Sequence, residues 1–115
     1  MPAGLYDIVA EQGATLDRVI TWRDSAGALI DLTSYTARMQ VRSDYQSTTV
    51  VLNLTTENGG ITLGGALGTI TLTASATAMA DIASGTYVYD LEMVLGSVVT
   101  RLVQGSFAVN VEVTR

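Results

Sequence analysis

Apolar and polar positions alternate along most of this chain. In "YTARMQVR", Tyr35, Ala37, Met39 and Val41 fall on one side and Thr36, Arg38, Gln40 and Arg42 on the other, as a strand with one buried face requires. The same period runs through 5–12, 15–23, 49–56, 69–75, 86–94, 98–103 and 106–113, all rich in threonine, valine and isoleucine. Turn-forming text separates them: "DSAG", "ENGG", "GGALG", "ASG", "LGS" and "QG". Seven to eight short strands at regular spacing predict one all-β domain over 1–115, an antiparallel β-sandwich. One segment breaks the period. "SATAMADI" (75–82) is alanine-rich and opens on a serine suited to capping, so it predicts about two turns of helix.

Directly after it stands "SGTYVYDLEM" (84–93), a glycine turn followed by two tyrosines one residue apart. This stretch resembles the corner between strands E and F of immunoglobulin-like sandwiches, where a tyrosine hydroxyl bonds to backbone just upstream. The resemblance implies that Tyr87 is the corner tyrosine. It also implies that Tyr89 fills the place of the second cysteine of antibody domains as a core aromatic, with Trp22 a packing partner on the opposite sheet.

Composition narrows the chemistry. The 115 residues include no histidine or cysteine, and all six basic residues are arginine. The usual general base near neutral pH, thiolate ligands, disulfides, the Schiff-base amine and the phosphate-loop lysine are therefore missing. We expect no enzymatic activity, no cofactor and no metal. A net charge of −5, with the arginines dispersed, argues against binding a nucleic acid backbone, which needs clustered cations. The first ten residues lack the charged start and apolar run of a signal peptide, and no stretch reaches the roughly 20 apolar residues of a membrane-spanning helix.

Four groups of side chains are candidates for a site. Asp90 and Glu92 project from one strand face, as a catalytic or cation-binding carboxylate pair would. The stronger reading is a solubilising face paired with Arg101 across the "LGS" turn. Asp24 and Asp31 match no calcium-loop spacing, and "DSAG" reads as a turn. The glycine cluster 57–69 lacks the lysine and helix of a phosphate loop. Asn58-Gly59 there predicts a hairpin turn, and Gly59, Gly60, Gly64 and Gly65 a flat surface open to a neighbouring backbone. Arg38 and Arg42 share a strand face suited to a charged groove on another subunit, and Tyr45, in "SDYQS", is placed for exposure. With Tyr6 and Tyr35 it could form an aromatic platform for sugars.

A second resemblance covers nearly the whole chain. "EQGATLDRVITWRDSAGALIDLTSYTARMQVR", "NGGITLGGALGTITLTASATAMADIASGTYVYDLEM" and "VTRLVQGSFAVNVEVTR" resemble a family of small virion structural proteins encoded in tailed-bacteriophage genomes. They are also similar in style to the N-terminal sandwich domains of phage upper baseplate proteins. The resemblance implies a virion building block present in many copies, contacting other phage structural proteins. Its expected place is the tail, as a baseplate or fibre-attachment component, ahead of a capsid decoration (cement) protein. A carbohydrate-binding module is the alternative from another class.

Overall fold

The computed structural model describes residues 4–113, and their strands form two sheets. β1 (Gly4–Leu5), β2 (Ile8–Glu11), β4 (Thr36–Arg42), β5 (Val50–Thr55), β8 (Gly85–Leu95) and β9 (Val98–Asn110) make the larger one, in the order β1-β9-β8-β4-β5 with β2 also on β9. β3 (Leu16–Thr21), β6 (Ile61–Leu63) and β7 (Thr69–Ala74) make the smaller, in the order β3-β7-β6. The partition matches the variable-type immunoglobulin arrangement, with β3, β6 and β7 as strands B, D and E facing β4, β5, β8 and β9 as C, C′, F and G. The chain is an immunoglobulin-like β-sandwich.

The alternation predicted from the sequence makes the core. Ala37, Met39 and Val41 on β4 and Tyr89, Leu91 and Met93 on β8 are buried against Ile70, Leu72 and Ala74 of β7, and Phe107 and Val109 of β9 join them. Each large side chain fully removed from water contributes about 1.5–3 kcal/mol. The helix α1 (Ala76–Ala80) carries the chain from one sheet to the other. Ser75 caps it by accepting from the Ala78 amide at 3.1 Å, and Met79 anchors it in the core. Gly85 then takes φ 152°, a conformation L side chains rarely adopt, and leads into β8.

Four expectations from the sequence are corrected. Residues 98–103 and 106–113 are not two strands with a turn at "QG": β9 runs unbroken through Gln104 and Gly105. Gly105 is there for space, because a Cβ at this position would stand 2.5 Å from the Tyr6 carbonyl oxygen. The N-terminal strand is split into β1 and β2, and both pair with β9 in parallel, so the larger sheet is mixed at that edge. β6 lies inside the glycine cluster and was not expected. Asn58-Gly59 is no hairpin turn, since β5 pairs with β4 and β6 with β7; it passes the chain between sheets. The hairpin is the next one, β6 to β7, through a 3-10 turn at Gly65–Leu67.

Candidate docking face

Four strands of the larger sheet present their outer side to solvent as a set of rows. Register places Arg101, Glu92, Arg38 and Thr55 side by side on β9, β8, β4 and β5, then Gln104, Asp90, Gln40 and Asn53, then Ser106, Val88, Arg42 and Val50. Read along the strands, β4 is a basic column, β8 an acidic one, and β9 carries one more arginine. Arg101 reaches this side through a β-bulge: the register steps from Leu91↔Val103 to Glu92↔Arg101, leaving Leu102 unpaired. One extra residue reverses which side chains face outward.

The acids and arginines are paired. Arg38 Nε lies 2.8 Å from Glu92 Oε1, and Arg101 Nε lies 3.3 Å from Asp90 Oδ2. The expected partnership of Arg101 with this acidic strand is present with Asp90, while Glu92 belongs to Arg38. With the arginines about half exposed, each pair contributes roughly 0.2–1 kcal/mol. Burial raises the Asp90 carboxyl above the usual carboxylate range and Glu92 adds to the rise, against the opposing charges of Arg101, Arg42 and Arg38. Arg42 is held differently. Its guanidinium donates to the Ser47 carbonyl and to Gln40 Oε1, both at 2.7 Å. Arg38 and Arg42 thus both have partners within the chain, and Arg38 still keeps about half of its side chain exposed to solvent.

Arg42 also fixes the loop between β4 and β5. Asp44 Oδ1 accepts from the Gln46 amide at 2.9 Å, and the Ser47 amide donates to the Asp44 carbonyl at 3.3 Å. This compact turn holds Tyr45 out at 71% exposure, beside a shallow groove of about 340 Å³ lined by Gln40, Arg42, Val88 and Asp90.

The other expected residues lie elsewhere. Tyr87 donates from its hydroxyl to the Ala83 carbonyl at 2.6 Å, across the turn after α1. Tyr89 is buried edge-on against Phe107, ring centroids 6.4 Å apart, and its hydroxyl donates to the Tyr6 carbonyl. Trp22 is not its partner. It packs edge-on against Tyr35 at 5.6 Å, because β3 has ended and Trp22 is held by the Gly68 carbonyl instead. Tyr35 is thereby packed against Trp22 and only partly exposed, and Tyr6 is partly buried, so Tyr6, Tyr35 and Tyr45 do not form one platform.

The glycines are not a flat surface either. Gly60 is buried, with Leu54 Cδ2 2.7 Å from where its Cβ would be, and Gly64 is crowded by the Thr69 side chain. Gly59 and Gly65 line a separate hollow of about 520 Å³ with Leu32, Tyr35 and Ile61. Asp24 Oδ1 accepts from the amides of Ala26 and Ala28, which makes "DSAG" the turn its residues suggested. Hydrogen bonds from the Thr33 hydroxyl and amide lower the Asp31 carboxyl below its ordinary value. Among the described residues, no group of three or more acidic side chains is placed to hold a metal ion, and no helix is long and apolar enough to cross a membrane.

No family model matches the chain, and no curated protein matches it. Among solved structures it is similar to the extracellular domain of the voltage-gated sodium channel beta4 subunit, described in parallel homodimers that explain its role in cell-cell adhesion. Identity is 12%, over 98% of this chain and 97% of that one, with a TM-score of 0.46.

Proposed function

We propose that this chain is a non-enzymatic assembly module of a tailed-phage virion, with the outer face of the larger sheet as its docking surface. The resemblance of its motifs to phage structural proteins supports the virion assignment, and a tail position, in the baseplate or at a fibre attachment, is preferred to capsid decoration. One observation carries the docking reading: side chains far apart in sequence, Arg38, Gln40, Arg42, Asp90, Glu92 and Arg101, meet on one sheet side with the exposed Tyr45 at its margin. Such a surface gives specificity and steering more than raw affinity.

The edges of the larger sheet point the same way. Asn58 donates its side-chain amide to the Asn53 carbonyl at 3.0 Å and accepts from the Thr55 amide at 2.9 Å, so it covers part of the β5 edge. Arg18 donates to the Val9 carbonyl on β2 at the opposite edge. Blocked edges turn docking toward faces. The test is a pair of face changes, Arg42→Glu with Gln40→Arg, that leave the chain folded, with a melting temperature lowered by the lost Arg42 hydrogen bonds, but lower incorporation into particles. Normal incorporation would remove the face from the docking role.

A carbohydrate-binding role is the second reading, favoured by Tyr45 standing over a groove with amide, carboxylate and guanidinium groups. Glycan-array binding that Tyr45→Ala abolishes would establish it instead.

A further inference from the structure

We infer that the outer face of the larger sheet is a weak two-fold interface between two copies of this chain; this rests on the docking reading above and names its partner. The charge columns select the symmetry. In an isologous pair each patch must complement itself. A two-fold axis lying between the sheets, along the strands and midway between β4 and β8, sets each β4 column over the partner's β8 column at the same height. Arg38 then faces the partner's Glu92 and Gln40 faces the partner's Asp90, because these residues share rows in the register. On the flank, Arg101 meets the partner's Thr55 and Gln104 the partner's Asn53, so no like charges oppose. An axis over β8 instead would set Arg38 against the partner's Arg101.

The docked arrangement also gives Glu92 a second cation. Asp90 and Glu92 lie two residues apart on one strand side, and among the groups facing Asp90 are Arg101 on β9 and Arg38 and Arg42 on β4. Within one copy Arg38 is ion-paired with Glu92; across the axis, two Arg38–Glu92 pairs close into a four-membered ring of alternating charge. Above the charged rows, Val94 and Val99 add apolar surface.

Size sets the strength. Four strands about 4.8 Å apart and about six residues of 3.3 Å each cover roughly 400 Å² per copy. A total of about 800 Å² lies below the range of stable interfaces, so the pair is transient in solution and gains from multiple copies on a particle.

The experiment is sedimentation of the purified chain up to about 1 mM, the concentration of weak association, for wild type, Arg38→Glu, Glu92→Arg, their double exchange, and a 1:1 mixture of the two single variants. Wild type and the double exchange should show concentration-dependent dimers. Each single variant sets like charges together twice and should raise the dissociation constant about a hundredfold. The mixture should form a 1:1 heterodimer, since one copy's face is then acidic and the other's basic. Should a single variant fold poorly, amide shifts of wild type on dilution, confined to 36–42, 88–94 and 99–104, report the same contact. Monomers throughout, mixture included, or a wild-type dimer indifferent to all variants, overturn the proposal. Monomers in solution together with face variants that still fail to enter particles would leave the docking face standing and remove the second copy as its occupant.

Discussion

Removing one hydroxyl from each of two neighbouring tyrosines should have unequal effects, and the structure sets the order. In Tyr89→Phe the ring stays against Phe107, but the Tyr6 carbonyl loses its partner. That carbonyl sits where β1 gives way to β2, pressed against Gly105 so closely that a single methyl there would collide with it. Water has little room to replace the lost donor, so the cost is that of an unsatisfied buried acceptor, about 1–3 kcal/mol. In Tyr87→Phe the freed acceptor is the Ala83 carbonyl on an exposed turn, which water reaches, and the cost falls to about 0.5–1 kcal/mol. With an unfolding entropy of about 0.24 kcal/mol/K for a chain of this length, the melting temperature should drop by about 4–12 °C for the first and about 2–4 °C for the second. Tyr45→Phe should be neutral. Urea titration and calorimetry at neutral pH measure all three. Alkaline pH adds a check of sign. Burial raises the Tyr89 ionisation above its ordinary value near 10, so the folded state keeps the proton longer than the unfolded chain. That contribution is complete below about pH 10 and is lost as pH climbs toward the folded value, so the gap between wild type and Tyr89→Phe should narrow there. A larger loss in Tyr87→Phe than in Tyr89→Phe would refute the reasoning.

Gly105→Ala should cost about 1–3 kcal/mol by forcing Tyr6 away from β9, with amide exchange in β1 and β2 rising most; unchanged exchange there would mean the close approach is not required. Asn58→Ala removes three side-chain hydrogen bonds and uncovers part of the β5 edge, so it should lower stability by about 1–3 kcal/mol and produce concentration-dependent aggregation seen by light scattering. Asp90→Asn exchanges a carboxylate whose ionisation is opposed by burial and by Glu92 for a neutral amide, at the loss of the Arg101 pair. Its stability should stay within about 0.5 kcal/mol of wild type at pH 7. On lowering the pH through the raised Asp90 value, wild type should gain relative to the variant, because a raised carboxyl contributes stability present at low pH and lost as pH rises.

What the sequence made legible follows from how local its causes are. β4 was readable because seven residues alternate without interruption and the sheet buries one side of all of them. α1 was readable from a serine cap and alanines, both effects within one turn. β6 was hidden because three residues between glycines hold no period of their own, and their pairing with β7 comes from across the 3-10 turn. Gly105 read as a turn for a related reason: the pressure that demands glycine comes from Tyr6, about a hundred residues away. The proposed docking face was half visible. Asp90, Glu92, Arg38 and Arg42 fall on outward positions by alternation alone, and Arg101 was expected near the acids. Arg38 meets Glu92 through the β4–β8 register, and Arg101 reaches the outer side beside Asp90 only through the bulge at Leu102, which nothing in the spacing of "VVTRLV" announces. Trp22 was given the wrong neighbour because alternation gives a side, and height along the sandwich is set by where β3 stops.

Quantitative mass spectrometry of gradient-purified particles, set against the soluble lysate, tests the central claim most directly. The account predicts the wild-type chain in many copies per particle, and the folded Arg42→Glu, Gln40→Arg variant abundant in the lysate but depleted from particles. A wild-type chain plentiful in the lysate and missing from intact particles would contradict it.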